Sequence, residues 1–130
     1  MPPFATRYLP LDPDTMVEEM LMVKATYERY GTQTEVSMDA QGYLAMELSF
    51  MGRTCGLAQQ AIELGVDRRA AQLLEEQEWF LDDHLLVWVP RWGEALRQSA
   101  QESFYTKLAY LTERFLVCDS KGLKDIMPLF

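Results

Sequence analysis

The stretch FYTKLAYLTERFLV, residues 104–117, has the most regular helical pattern in the chain. Apolar and aromatic side chains recur in it with a period near 3.6 residues, which is typical of a helix with one wide apolar face. We therefore predict a helix from Phe104 to Val117. Its apolar face would contain Phe104, Tyr105, Leu108, Ala109, Leu111, Thr112, Phe115 and Leu116.

Four further segments with helical spacing precede this one. We place the second, third and fourth helices at Ala40 to Leu64, Arg68 to Val89 and Arg91 to Ser99. For the fourth, continuation and a break before Ser103 are the two alternatives. Pro90 is expected to end or kink the third helix, because proline lacks the N–H that a helix interior needs. The second helix has a stripe formed by Leu44, Leu48, Met51, Cys55, Ala58 and Ile62. Aromatic residues at helical spacing usually belong to the core, and here they are Trp79, Trp88, Trp92, Phe104, Tyr105 and Phe115.

The N-terminal part divides into a lead-in and a first helix. Residues 1–13 contain four prolines, so we expect them to lie extended over another part of the protein. A helix follows from Asp14 to about Arg29, and Asp12 or Asp14 could cap it. Thr32 to Asp39 is predicted to be a polar loop.

The C-terminal tail, residues 119–130, contains Gly122 and Pro128 and is expected to fray. No useful stretch of the sequence alternates apolar and polar residues with the period of two that a half-buried strand shows. The sequence therefore predicts an all-α fold, a single domain of about five helices over residues 1–130.

Charge and composition exclude several classes of function. The 130 residues carry 20 acidic and 12 basic side chains, for a net charge of −8. This balance argues against nucleic acid and against an anionic membrane surface, both of which need basic residues. There is no membrane-length apolar run and no signal peptide pattern, so we expect a cytoplasmic protein without membrane insertion. Cys55 and Cys118 are interpreted as buried free thiols in a reducing compartment.

No motif for catalysis, metal binding or cofactor binding is present. His84 is the only histidine, and the two cysteines lie far apart without the spacing of a zinc site. There is no glycine-rich phosphate loop. We therefore predict no metal, no cofactor and no enzymatic activity.

Three segments together resemble one family of helical proteins. Residues 80–92 read Phe80-Leu81-x-x-His84-Leu85-x-x-Trp88-x-Pro90-x-Trp92, and residues 104–116 read Phe104-Tyr105-x-x-Leu108-Ala109-x-Leu111-Thr112-x-x-Phe115-Leu116. Upstream, Met46-Glu47-Leu48-Ser49-Phe50-Met51 is similar to a Glu-Leu-x-Phe-Met segment. This combination resembles the C-terminal half of the TorD/DmsD/NarJ family of molybdoenzyme maturation chaperones.

The resemblance implies an all-helical cytoplasmic protein that is not an enzyme. Members bind the N-terminal leader, often a twin-arginine leader, of a molybdopterin-containing reductase or dehydrogenase and hold the subunit until its cofactor is inserted. Two departures are visible. Asp39-Ala40-Gln41-Gly42-Tyr43 stands where many members have Glu-Pro-x-Asp-His. Typical members also have further helices before the segment that matches Tyr8-Leu9-Pro10, so we expect either a fragment or a naturally short member of the family.

The expected leader site is an apolar groove with acidic side chains at its rim. The candidates are Tyr43, Met46, Glu47, Phe50, Met51, Phe80, Asp82, Asp83, His84 and Trp88. For two of them a structural role is the first interpretation, and contact with the leader is the alternative. His84 could be a core histidine hydrogen-bonded to backbone or to a carboxylate. Glu47 lies on an apolar stripe and needs a partner, for which Arg53, Arg91 or a backbone amide could serve.

The expected partner is the catalytic subunit, or its leader peptide, of a molybdopterin oxidoreductase. If the N-terminal helices of the family are absent, the helix faces they would cover remain apolar, which predicts a homodimer in which helices can be exchanged. The alternative from another functional class is a helical module that only oligomerises or regulates and does not bind a leader.

Overall fold

The computed structural model describes residues 2–32, 36–99 and 104–130, and within these ranges it contains helices and no strand. The α-helices are α1 (Ala5–Tyr8), α2 (Pro13–Arg29), α3 (Met38–Gln41), α4 (Leu44–Glu63), α5 (Asp67–Phe80), α6 (Leu86–Gln98) and α7 (Phe104–Ile126). A π-helical turn, Leu81–Leu85, joins α5 to α6, and a 3₁₀ turn, Met127–Leu129, follows α7. The predicted all-α class is confirmed.

The first long helix begins where its capping residue predicts. The carboxylate of Asp12 accepts a hydrogen bond from the backbone N–H of Thr15 at 2.8 Å, and Pro13 occupies the first turn. The lead-in before it was predicted to be extended, and this is wrong for α1, a short helix between Pro3 and Pro10. One turn fits there because none of its four residues is a proline.

The lead-in does lie over another part of the protein. The N–H of Ala5 donates to the carbonyl of Gly42, and the N–H of Leu44 donates to the carbonyl of Pro3. A Cβ on Gly42 would come within 2.9 Å of the Ala5 Cβ, so glycine permits this close approach. The second predicted helix, from Ala40, is accordingly divided here into α3 and α4.

The prediction that Pro90 ends the third helix is wrong, and its alternative, a kink at Pro90, stays a prediction. Helix α6 continues through Pro90 to Gln98, and the irregular turn comes earlier, where the N–H of Leu86 bonds to the carbonyl of Leu81. Proline removes one hydrogen bond from the helix. The buried side chains of Trp88, Val89 and Trp92 on both sides of Pro90 hold the segment against the core and compensate for that loss.

Helix α4 faces the core with a stripe that differs from the predicted one. The buried residues include Glu47, Thr54 and Ala61, whereas Cys55 and Ile62 are exposed. The buried face of α4 therefore includes the hydrogen-bonded polar side chains of Glu47 and Thr54, whereas the predicted stripe had only apolar side chains and Cys55. Cys55 and Cys118 are free thiols, but they are exposed, not buried as predicted.

Helix α7 is longer than predicted and is turned differently about its axis. It continues to Ile126, and Leu123 is buried, so the expected fraying of residues 119–130 is wrong for most of that tail. The predicted core aromatics Phe104, Tyr105 and Phe115 are 73%, 64% and 59% exposed. The residues that α7 buries are Ala109, Leu116 and Leu123. The helix contacts α6, α5 and the π-helical turn along this narrow line, so its wider apolar face is left in solvent.

Candidate functional site

A buried polar network centres on His84, which lies in the π-helical turn. Its Nδ1 atom is 2.9 Å from Oε1 of Glu19 on α2, and its Nε2 atom is 2.8 Å from Oε2 of Glu47 on α4. The indole N–H of Trp88 donates to the other carboxylate oxygen of Glu47 at 2.9 Å. The network therefore connects three separate segments of the chain.

The charges in this network determine its protonation. Burial alone would lower the pKa of His84, but the negative charge of Glu47 and the hydrogen bonds to Glu19 and Glu47 raise it to about 9. Burial raises the pKa of Glu47, and the charge and hydrogen bond of His84 oppose that effect. An imidazolium between two carboxylates is the state in which both ring N–H groups donate and each faces a negative oxygen.

The partners of Glu47 were only partly predicted. The proposed partners Arg53, Arg91 or a backbone amide are wrong, because Glu47 bonds to His84 and Trp88. The prediction that His84 would bond to a carboxylate in the core is correct. Glu19 was missed, although a signal existed: it lies three residues after Met16 and four before Val23, on the buried stripe of α2.

The predicted leader-binding residues fall into a buried group and an accessible group. The accessible group comprises Tyr43, Met46, Asp82 and Asp83. The buried group comprises Glu47, Phe50, Met51, Phe80, His84 and Trp88. Members of the buried group could touch a peptide only if helices separated, so they support the surface from beneath in this conformation.

Comparison with known proteins identifies the family. A family model described as "Nitrate reductase delta subunit" matches residues 1–94. The chain belongs to this family. The match includes all four network residues, Glu19, Glu47, His84 and Trp88, and ends before α7.

Curated relatives carry the name "Chaperone protein TorD". The protein of that name from Vibrio parahaemolyticus is 27% identical over 125 residues, which are 93% of this chain and 55% of the relative. The one from Photobacterium profundum is 32% identical over 97 residues, 74% of this chain and 44% of the relative. The chain thus spans about half the length of the curated relatives it matches. No solved structure matches significantly. These relatives and the family match confirm the resemblance drawn from the sequence.

In this family member, one of the predicted acidic residues joins two helical segments. Asp82 in the π-helical turn accepts hydrogen bonds from Ser120 and Lys124 on α7. Partial burial would raise the pKa of Asp82, but these bonds and the charge of Lys124 lower it. Asp83, the next residue, is exposed. The two neighbouring aspartates therefore have different roles. Asp82 holds the C-terminal part of α7 in place, whereas Asp83 faces solvent.

The described residues offer little for other chemistry. In the ranges 2–32, 36–99 and 104–130 no group of three histidine, cysteine or acidic residues could hold a metal ion. No helix of the described part is both long and apolar enough to cross a membrane. A polar surface pocket of about 440 Å³ is lined by Arg29, Tyr30, Arg69, Gln72, Glu75 and Glu76, none of them a predicted leader contact.

Proposed function

We propose that this chain is a cytoplasmic maturation chaperone that binds the N-terminal leader of a molybdopterin-containing oxidoreductase subunit and is not an enzyme. The observation that carries the proposal is the family match over residues 1–94, together with relatives named as chaperones. Binding of a polypeptide requires a surface and no reactive group, which agrees with the absence of a catalytic motif in the sequence.

The leader surface that we propose is formed by α4 and the π-helical turn. Met46 precedes Glu47, and Asp83 precedes His84, so the buried Glu47–His84 contact holds the two accessible residues in a fixed relation. Apolar contacts at Tyr43 and Met46 would supply most of the affinity for the leader. Asp83 would meet an arginine of the leader, in a chain that carries eight excess negative charges.

Titration calorimetry tests this proposal. The ligand is the leader peptide of the molybdopterin oxidoreductase subunit encoded beside this chain, and a scrambled peptide of identical composition is the control. We expect saturable binding of the leader alone, and weaker binding as salt rises because exposed charges are screened over about 8 Å at physiological ionic strength. Equal binding of both peptides, or of neither, would contradict the proposal.

The second candidate is a helical module that only oligomerises or regulates. The observation that favours it is the exposed apolar face of α7, which includes Phe104, Leu111 and Phe115. A homodimer, with or without exchanged helices, stays a prediction under either function. Light scattering at micromolar concentration measures the oligomeric state, and a monodisperse monomer would contradict the dimer.

A further inference from the structure

Helix α7 carries a second apolar stripe besides the one it buries. Its residues are separated by alternating steps of four and three, the spacing of a coiled-coil seam. They are Phe104, Leu108, Leu111, Phe115 and Cys118, and all five are exposed. We refer to these five residues as the outer stripe.

The outer stripe and the buried line lie on different sides of one helix. Ala109 and Leu116 are buried, and each directly follows a stripe residue, Leu108 or Phe115. Successive residues of an α-helix are rotated by about 100°. The helix is thus packed on one side and presents the outer stripe to solvent about a quarter turn away.

A row of basic side chains follows one edge of the outer stripe. Lys107 and Arg114 each directly precede a stripe residue, and Lys121 continues the row. Successive members of this row are seven residues apart, and all three side chains are exposed. None of the three forms an ion pair with another residue in the described ranges. The opposite edge holds Tyr105, Thr112 and Asp119. This basic row is notable in a chain with a net charge of −8.

Two other charged residues of α7 are directed away from the outer stripe. Glu113 lies against Arg97 of α6, and Lys124 pairs with Asp82 of the π-helical turn. These contacts are on the packed side of the helix. Asp119 is at the opposite edge, and Asp125 follows the last stripe residue by seven positions. The electrostatic character of the outer stripe is therefore set mainly by the basic row.

We propose that the outer stripe docks an amphipathic helix of another polypeptide that has apolar residues in heptad spacing and a flanking row of Asp and Glu. Apolar heptads on both helices would interdigitate, and each carboxylate would pair with a member of the basic row. This surface is distinct from the proposed leader site, because arginines of a leader would be repelled by Lys107, Arg114 and Lys121. The proposal does not depend on leader binding.

A second copy of α7 fits the outer stripe less well. In an antiparallel pair the two basic rows would lie on the same side of the seam and repel each other. In a parallel pair each basic row would face Tyr105, Thr112 and Asp119, which offer a single carboxylate. Charge complementarity therefore selects an acidic helix as the occupant.

The experiment uses the whole chain and synthetic helical peptides about three heptads long. One peptide has leucine at the seam positions and glutamate along both edges, and its matched control has lysine in place of every glutamate. A third peptide keeps the glutamates and replaces the seam leucines with alanine. We expect the acidic leucine peptide to bind roughly tenfold more tightly than the lysine peptide. Its glutamates would form three exposed ion pairs with the basic row, whereas the lysines of the control would be repelled by that row. The alanine peptide should not bind.

Variants of exposed residues keep the fold and sharpen the test. The triple variant Lys107→Glu, Arg114→Glu, Lys121→Glu should reverse the preference towards the lysine peptide, and Leu111→Ser should weaken both peptides. Circular dichroism and thermal melts check that each variant is folded. Equal affinity of the wild-type chain for both leucine peptides, or binding of neither, would overturn the proposal. A dimer that Leu111→Ser dissociates would also overturn it, since a second copy would then occupy the stripe.

Discussion

The Nε2 atom of His84 lies 2.8 Å from Oε2 of Glu47, and neither side chain is exposed to solvent. This contact joins the first turn of α4 to the π-helical turn between α5 and α6. Glu19 approaches the other ring nitrogen from α2, so one imidazole ring connects three segments that are distant in the chain. The accessible residues proposed to contact a leader are positioned by it.

Replacing Glu47 with alanine should strongly destabilise the fold. The change would leave the imidazolium of His84 without its buried carboxylate partner and the indole N–H of Trp88 without its acceptor. Breaking a buried charge pair on one side costs about 3–5 kcal/mol. Urea unfolding measures this loss. Glu63→Gln, at an exposed position of the same helix, is the control and should change the free energy of unfolding by less than about 0.5 kcal/mol. Equal effects of both changes would contradict the buried pairing.

The imidazole of His84 should titrate far above the usual range. Its pKa in the folded protein is raised from 6.5 to about 9 by the charge of Glu47 and by its two hydrogen bonds, against the effect of burial. NMR can follow this ring without ambiguity because the chain has one histidine. Glu47→Gln should lower the pKa of His84, whereas Glu63→Gln should leave it unchanged. A wild-type pKa at or below 6.5 would contradict the charged network.

The same shift predicts how stability depends on pH. The folded state holds the His84 proton more tightly than the unfolded state, with pKa values of about 9 and 6.5. The contribution of His84 to stability is therefore fully present below pH 6.5 and is lost as pH rises through about 9. Thermal melts across this window should show a falling Tm that the variant His84→Gln does not share. A decline of the same size in that variant would assign the effect to other groups.

Two leucines of α7 should respond differently to truncation. Leu116→Ala removes a buried side chain and should cost about 2–5 kcal/mol, as cavity-forming changes do. Leu111→Ala removes a side chain that is 64% exposed and should cost less than about 0.5 kcal/mol. Denaturant unfolding of the two variants compares them directly. The reverse order would show that α7 packs through the outer stripe.

A methionine at the proposed leader surface should matter for binding but little for folding. Met46 is half-buried on α4, next to Glu47, so Met46→Ser would remove apolar area that the leader contacts. We expect a loss of leader affinity of about 1 kcal/mol, close to the value of one buried methylene group. Met22→Ser, at an exposed position on α2, is the matched control and should bind normally. Titration calorimetry compares the leader affinities of the two variants. An equal loss of affinity in both would show that the leader does not bind at Met46.

The sequence by itself determined the helical class and most helix positions. The apolar spacing near 3.6 residues is a local property, so α2 and the helical character of residues 44–63, 67–98 and 104–117 followed from it. The signals for Asp12 as a cap and for the family resemblance were also local. The helix does not end at Pro90, as one of the two predicted outcomes had it, because buried neighbours on both sides hold that segment helical, and no local rule contains them.

Only the tertiary structure decided which faces pack and which polar groups meet. Helix α7 has two adjacent apolar faces in its sequence, and its contact with α6 selected the one with Ala109 and Leu116. Glu47 and His84 are 37 residues apart, and His84 and Glu19 are 65 apart. Spacing within one helix reveals that a buried carboxylate needs a partner. The identity of that partner depends on how separate helices are brought together, because electrostatic satisfaction in the core is a property of the assembled fold.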